Sequence, residues 1–584
     1  MDENRSHPVR CQHIQTEELF SIEVPSPRRL NWRKLFFELH GWVGLNLGLI
    51  LFVVCLSGTF ATLSDEMDAL IDPARSIDTH TGNKSEYDWT AMTLNLESSF
   101  PDGVVQTIYA PGASGRPSDL GRTTALAFVA VPSGETRKVS VDPYTGEVLG
   151  HTGFFNTERF FRTFHRRLFD GGRGILIVTL TSFFLLASAI TGFAFYGGWL
   201  RQLRTLKLFG TRRRRWSDLH KVAGIWGLPF TLIIAITGVY YFVEVSYQRM
   251  DAYEQLLSPP MAQVDISGLA EFGPQPELLT PNRYIQLARE TFPQLDIRTL
   301  RMSHSPSQAV YVDGRGGDPF TRDRADKIHL HPLTGEIIDV QKSSNLGLVP
   351  YMTEAVDPIH FGYFGGLTTQ LIWFILGLLL SFSILSGMYV WVVRSLAART
   401  RPSSLLRGAP ISVAVTITYL ALAGFSTANG IRAYSSPVNE PIRIGSVEVG
   451  PWSARVDCSV PCRPAEGARV TARFLGSGLP NYERAEFVTE QGSVLRLTGP
   501  AWKPRTELEF TPGEKSVLRV TDRTGHVYQA AFTPNIERVD LGEPAMWPDT
   551  AQGVWWIVIG FGILMVGSIV VWLSMILRVA RERS

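Results

Sequence analysis

Apolar residues in this chain gather into six long stretches. They lie at about 40–63, 174–198, 222–243, 367–393, 411–428 and 553–577. Each is nearly free of charge and close to the roughly 20 residues a helix needs to cross about 30 Å of hydrocarbon. The stretch at 411–428 is the shortest. Elsewhere the pattern changes to short alternating runs broken by Gly, Pro, Asn and Asp, the signature of strands and turns. The fold class expected is a polytopic α-helical membrane protein with six spans. Its polar parts are an N-terminal segment at 1–39, large regions at 64–173, 244–366 and 429–552, short links at 199–221 and 394–410, and a tail at 578–584.

Basic residues orient the spans. Arg28, Arg29, Arg33 and Lys34 precede the first; Arg201, Arg204, Lys207 and Arg212 to Arg215 lie between the second and third. Arg394, Arg399, Arg401 and Arg407 lie between the fourth and fifth, and Arg578, Arg581 and Arg583 close the chain. Short basic segments stay cytoplasmic, so both termini are expected inside and the three large regions outside. No small-x-small cleavage site follows the first span, which reads as an uncleaved signal anchor. Helical spans point to a bacterial inner membrane, since outer membranes use barrels. The net charge is only +2, which gives no reason to expect nucleic acid as a partner; the partner implied by the spans is the lipid bilayer.

The chain also repeats itself. LHGWVG at 39–44 matches LHKVAG at 219–224, so His40 and His220 stand 180 residues apart, as do Gly44 and Gly224, and Gly58 and Gly238. SAITGF at 188–193 matches SILSGM at 383–388, where Gly192 and Gly387 are 195 apart, as are His165 and His360. SSFPD at 98–102 resembles ETFPQ at 290–294, and VSVDPYTGEVLG at 139–150 resembles IHLHPLTGEIID at 328–339. A unit of span, small α+β domain and span is thus expected twice in tandem, with Gly146 and Gly335 at hairpin turns. Residues 429–552 differ: RIGSVEVG, ARVTARFL, SVLRLTG and SVLRVTD read as an all-β, sandwich-like external domain between spans 5 and 6. Cys458 and Cys462 lie in this domain, where a disulfide is plausible in an oxidising compartment.

The repeat sets one histidine pair at each membrane face: His40 with His220 on the cytoplasmic side, His165 with His360 on the outer side. Two neutral imidazoles on facing helices suit axial ligation of haem iron and leave no open position, which favours electron transfer. The expected cofactor is haem b, two per chain; the alternative reading is that each histidine is an interfacial polar residue at a span end, which leaves the register of all four unexplained. Gly44 and Gly224 follow His40 and His220 by one helical turn and could let a flat macrocycle lie against the helix. Arg166, Arg167 and Lys221 directly follow ligands and could pair with propionates. Gly58, Gly192, Gly238 and Gly387 could serve close helix packing instead. Phe154, Phe155, Phe160, Phe161, Tyr363 and Phe364 could line an acceptor site near the outer pair or anchor the membrane interface. His329 and His331 share a strand face, but the first copy has Ser140 and Asp142 there, which argues against a metal site.

The LHxxxG openings, FHRRLF at 164–169, IHFGYFGG at 359–366, and DPYTGEVLG with HPLTGEIID together resemble the PepSY-associated transmembrane family over about residues 28–400. His331 replaces Asp142 in the second hairpin and departs from the D-x-x-TGE pattern. The resemblance implies that the α+β units are PepSY domains, that His40, His165, His220 and His360 ligate haem, and that the protein reduces ferric siderophores, or another Fe(III) acceptor, at the periplasmic side. No G-x-G-x-x-G fingerprint is present, so the electron donor is expected to be quinol or a separate cytoplasmic reductase. The rival expectation is a non-catalytic PepSY scaffold that binds or regulates a peptidase or other periplasmic partner. That rival gives the histidine register no purpose.

Overall fold

In a computed structural model, the described residues are 31–77, 86–100, 103–111, 124–130, 136–153, 155–196, 211–250, 278–302, 309–397, 409–435 and 548–581, with most of the strand residues between 442 and 538. Phe154, Cys11 and Cys462 lie outside them.

Among the described residues, five helices are long and apolar enough to cross a membrane: Gly171–Phe195, Leu228–Arg249, Tyr363–Arg394, Pro410–Arg432 and Thr550–Arg578. A sixth span is formed if the bent pair α1 (Trp32–Asn46) and α2 (Gly48–Ala61), which turn by 69° at Leu47, is counted as one. The helix carrying the second copy's opening breaks at the same place in the repeat. Arg212–Trp226 ends at Gly227, and Leu228–Arg249 begins with Pro229 in its first turn, where a missing N–H costs nothing. The shortest apolar stretch of the sequence is part of a 27-residue helix, Ala409–Ser435.

For reference below, α3 is Ser64–Ile71, α4 Trp89–Ser99, α5 Thr157–Arg167, α6 Gly171–Phe195, α7 Arg212–Trp226, α8 Leu228–Arg249, α9 Pro281–Thr291, α10 Leu348–Phe361, α11 Gly366–Ala397, α12 Ala409–Ser435 and α13 Pro548–Arg581. The strands of the α+β regions are β1 Val104–Tyr109, β2 Ala125–Ala130, β3 Thr136–Val141 and β4 Val148–Thr152, then β5 Asp296–Arg301, β6 Val310–Arg315, β7 Asp326–Leu330 and β8 Ile337–Gln341.

The two α+β regions do not stand apart. Their strands form one antiparallel sheet in the order β4-β3-β2-β1-β5-β6-β7-β8, symmetric about the β1–β5 junction. That junction is short, pairing Ile108 with Leu300 and Tyr109 with Thr299. Alternation then sorts the faces. Ala125, Ala127 and Val129 of β2 point into a core with Trp89, Met92 and Leu96 of α4 and Tyr284, Ile285 and Ala288 of α9. Leu126 and Phe128, between them in sequence, line a cavity on the other face. The two helices are tied to each other by Asn282, whose side chain donates to Asp88 at 2.9 Å and accepts from the Thr90 N–H at 3.2 Å.

The hairpins behave as the sequence suggests, with Gly146 and Gly335 at φ of 75° and 72°, a region glycine enters without strain. Asp142 accepts from the backbone of Tyr144 and Thr145 at 2.8 and 3.1 Å. In the second copy the Nδ1 of His331 accepts from Leu333 and Thr334, both at 3.2 Å. The histidine therefore does the turn-closing work of the aspartate. His329 is buried against Tyr311, and burial pushes its pKa down to about 4. Among the described residues no cluster of three or more His, Cys, Asp or Glu could hold a metal ion.

Among the described residues, the third region has two antiparallel sheets of five and four strands spanning Ile442–Arg538. Gly450 of the first packs against Tyr528 of the second. Cys458 ends a strand of the larger sheet.

Spans α12 and α13 break the symmetry of the bundle. Phe561 of α13 is the hub of an aromatic cluster, 5.0 Å from Phe60 and Phe161 and 6.2 to 6.5 Å from Phe164 and Phe160. Phe160 and Phe161 are therefore core residues of the bundle. They neither line an acceptor site nor anchor an interface, because α13 covers the face of α5 that carries them. Phe155 likewise packs on Gly430 of α12.

A buried ionic cluster joins α3 to α5. The Asp68 carboxylate accepts from the Thr157 and Glu158 N–H groups at 2.9 and 2.8 Å, satisfying two donors at the start of α5. Lys138 donates to Asn156 and Glu158 at 3.2 and 3.1 Å. Burial pushes the Asp68 carboxyl up from 3.8 to about 6 despite Arg75 and Lys138. A raised folded-state pKa means the folded protein binds this proton more tightly than the unfolded chain. Its contribution is complete below the unfolded value and is lost as pH rises through about 6. Thermal unfolding in detergent should therefore show Asp68 favouring the fold more at about pH 5 than at about pH 7. Asp68→Asn should flatten that difference; an unchanged pH profile in the variant would contradict it.

Candidate functional site

The four histidines of the repeat meet in two pairs. His40 of α1 and His220 of α7 have ring centroids 6.2 Å apart, at an interplanar angle of 49°. His165 of α5 and His360 of α10 are also 6.2 Å apart, at 33°. Two imidazoles that each bind one metal from opposite sides, at about 2 Å, would place their centroids about 6 Å apart. The second pair lies beside the sheet. The first lies toward the far ends of α6 and α11, where His40 meets Ser188 and His220 meets Ser383. From His220 to Thr237, which touches His360, is roughly 25 Å of helix at 1.5 Å per residue.

Hydrogen bonds fix the tautomer of three of the rings. The Nδ1 of His40 donates to the Ser188 carbonyl, that of His220 to the Ser383 carbonyl and that of His165 to the Val54 carbonyl, each at 2.9 Å. A carbonyl can only accept, so Nδ1 carries the proton and Nε2 keeps its lone pair. The Nδ1 of His360 stands 2.7 Å from Thr237 Oγ1, which accepts from it when the Thr237 proton goes to the Ile233 carbonyl at 2.7 Å. Metal-binding histidines are held in this way. All four are half-buried, and the donor set of two neutral nitrogens per site fits haem iron.

Glycine makes room for the rings. A Cβ on Gly58 would stand 2.6 Å from His165, one on Gly192 3.0 Å from His40, and one on Gly387 2.7 Å from His220. Three glycines that the sequence assigned to helix packing therefore seat imidazoles. Gly238 is different: it faces Ser182 of α6. At Gly44 a Cβ would meet nothing within 4 Å, and at Gly224 only Ser383 Oγ at 3.8 Å, which leaves space beside His40 and His220 for a flat group.

A cavity of about 590 Å³ contains the sheet-side pair. Its deep part is apolar, lined by Leu51, Leu185, Phe230 and Leu380. Its upper part is roofed by Tyr109, Leu126, Phe128 and Arg301 of the sheet. Arg159, Arg162 and Arg166 of α5 line it together with His165. Burial, relieved by Glu158 but deepened by Arg162, Arg167 and Arg166, pulls Arg159 down to about 10; an anion placed here would relieve that crowding. Of the basic residues singled out by sequence, Arg166 faces the cavity, Arg167 is exposed, and Lys221 pairs with Asp218 at 3.4 Å. Tyr363 lines the cavity, whereas Phe364 packs on Phe320 and Trp373.

One network escaped the sequence. Asp357, one turn before His360, accepts from the Tyr241 hydroxyl and pairs with Arg322 at 2.8 Å. Tyr241 packs edge-on against His360 at 5.1 Å. Burial raises the Asp357 carboxyl, but Arg322 and the Tyr241 hydroxyl outweigh it and hold the group well below the usual carboxylate range. Arg322 also stands 3.7 Å from Glu354, which accepts from Arg324 at 3.0 Å. The segment between β6 and β7 is thus locked to the helix bearing His360.

Residues 37–394, more than half of the chain, match the PepSY-associated TM region. The chain belongs to this family of membrane proteins. It is also similar to an uncharacterized protein of Pseudomonas aeruginosa, at 25% identity over 254 residues, which is 40% of this chain and 63% of that protein.

Proposed function

We propose that this protein passes electrons across the bacterial inner membrane through two bis-histidine haems b and reduces a ferric siderophore, or another Fe(III) chelate, on the sheet side. The observation that carries the proposal is the matched pair of imidazole pairs, each at 6.2 Å, with the Nδ1 of His40, His220 and His165 committed to a carbonyl. Both termini are then cytoplasmic, and the sheet is periplasmic. His40 and His220 would hold the cytoplasmic-side group, and His165 and His360 the periplasmic-side group. Each group, when bound, supplies a one-electron Fe(III)/Fe(II) couple.

The chain's own residues perform the rest. Val43, Leu51, Leu185, Phe230 and Leu380 give the path between the pairs an apolar surround. Arg159, Arg162 and Arg166 on the α5 wall of the chamber, offset in part by Glu158, give an anionic chelate its approach to the outer pair. There Fe(III) of the chelate gains one electron, and the donor, a quinol or a cytoplasmic reductase, has lost one. The less charged ion is held more weakly by hard oxygen ligands and is released.

Vesicles containing the protein test this. They carry an impermeant reductant on the far side, and a ferric hydroxamate with an Fe(II)-trapping dye on the sheet side. Fe(II) should form with the wild type but not with His165→Ala, His360→Ala or empty vesicles. Equal rates in folded wild type and both variants would contradict the proposal.

A further inference from the structure

The four imidazoles are not held alike. His40, His220 and His165 each donate Nδ1–H to a peptide carbonyl at 2.9 Å. On the cytoplasmic-side pair a serine hydroxyl also approaches, Ser188 at 3.2 Å from His40 and Ser386 at 3.4 Å from His220. The Nδ1 of His360 instead faces a hydroxyl at 2.7 Å, Thr237 Oγ1, to which it donates when Nε2 is the ligand atom.

The repeat shows how the difference arises. Thr237 stands 180 residues after Ser57. Ser57 donates to the Val54 carbonyl at 3.0 Å, the same oxygen that His165 uses. In the second copy the hydroxyl has moved between the ring and the helix: Thr237 donates to the Ile233 carbonyl and presents its oxygen to His360. A hydroxyl oxygen carries less negative charge than a peptide carbonyl and polarises Nδ1–H less. The ring is then a weaker electron donor through Nε2, and a weaker donor stabilises Fe(III) less.

We infer that Thr237 is a positioning residue that makes the His165–His360 site the more oxidising of the two, so that electrons run downhill from the His40–His220 site toward the sheet. This rests on the proposed haem ligation. One electron leaves the first site as one enters the second, with no bond made or broken.

The test is an equilibrium redox titration of the purified full chain, followed by haem absorbance, with haem per protein measured in every sample. Two components are expected, the higher-potential one being that removed by His165→Ala. Thr237→Asn, which offers an amide carbonyl, should lower only that component. Thr237→Val, which offers no acceptor, should raise only that component. The inference fails if both variants keep two haems and shift neither component, if the shift falls on the other component, or if the His165-dependent component is the lower one. If the folded wild type holds no haem, the ligation itself is wrong, and the inference falls with it.

Discussion

Gly58→Leu should empty the sheet-side site and leave the far-side site filled, and Gly387→Leu should do the reverse. At Gly58 a Cβ would stand 2.6 Å from Cε1 and 2.8 Å from Nδ1 of His165, inside any tolerable contact. The ring cannot yield without releasing the Val54 carbonyl, because that bond and the glycine lie on the same stretch of α2. Losing a partner of this kind costs a metal site about 10- to 100-fold in affinity, and displacing the ligand itself costs more. Haem content should fall from two to one per chain in either single variant, and to none in the double variant. Gly44→Ala makes a useful control, because a methyl there meets no protein atom within 4 Å. The structural cost to the fold should be small at that position, so any loss of haem would report on the space beside His40. Retention of two haems in Gly58→Leu would show that the glycine does not seat a ligand.

Asp357→Ala should cost about 3–5 kcal/mol of stability, because it leaves Arg322 buried with its main counter-charge removed. The Arg322 and Asp357 side chains keep only 14% and 23% of their exposure, so solvent cannot replace the lost carboxylate. Glu354 at 3.7 Å is a poorer substitute, being already committed to Arg324. The Tyr241 hydroxyl loses its acceptor at the same time, and the ring beside His360 is no longer fixed. Asp357→Asn should be milder, since an amide oxygen can still accept from both partners. Thermal unfolding in detergent, with a parallel haem count, measures both effects; equal stability of wild type and Asp357→Ala would show that the pair does not hold the sheet to the bundle.

Much of this arrangement could be read from residue spacing. The 180- and 195-residue offsets relate His40 to His220 and His165 to His360, and the rings meet in those pairs. The TGE hairpins fold as turns, and the weakest apolar stretch is a full-length helix. Other parts left no mark in the sequence. The partner of an edge strand is not encoded in its alternation, so the joining of β1 to β5 into one sheet was not legible. The carbonyls of Val54, Ser188 and Ser383 that orient three of the rings are backbone atoms, present at every position and distinctive at none. Phe160 and Phe161 read as interface aromatics because their cover, Phe561, is about 400 residues away in the chain and outside the repeat. Asp357 and Arg322 carry no motif, and only the fold brings them to Tyr241 beside His360. The glycines were ambiguous for a simpler reason: one residue type serves helix packing and ligand seating equally, and only the neighbour decides.

The central claim is that two imidazole pairs each hold a haem. The most direct measurement is a reduced-minus-oxidised absorption spectrum of the detergent-purified chain, with haem counted per protein. Two haems are expected with a low-spin, six-coordinate spectrum, falling to one in His40→Ala or His220→Ala and to the other one in His165→Ala or His360→Ala. A folded preparation without haem, or the loss of both haems from every single variant, would contradict it.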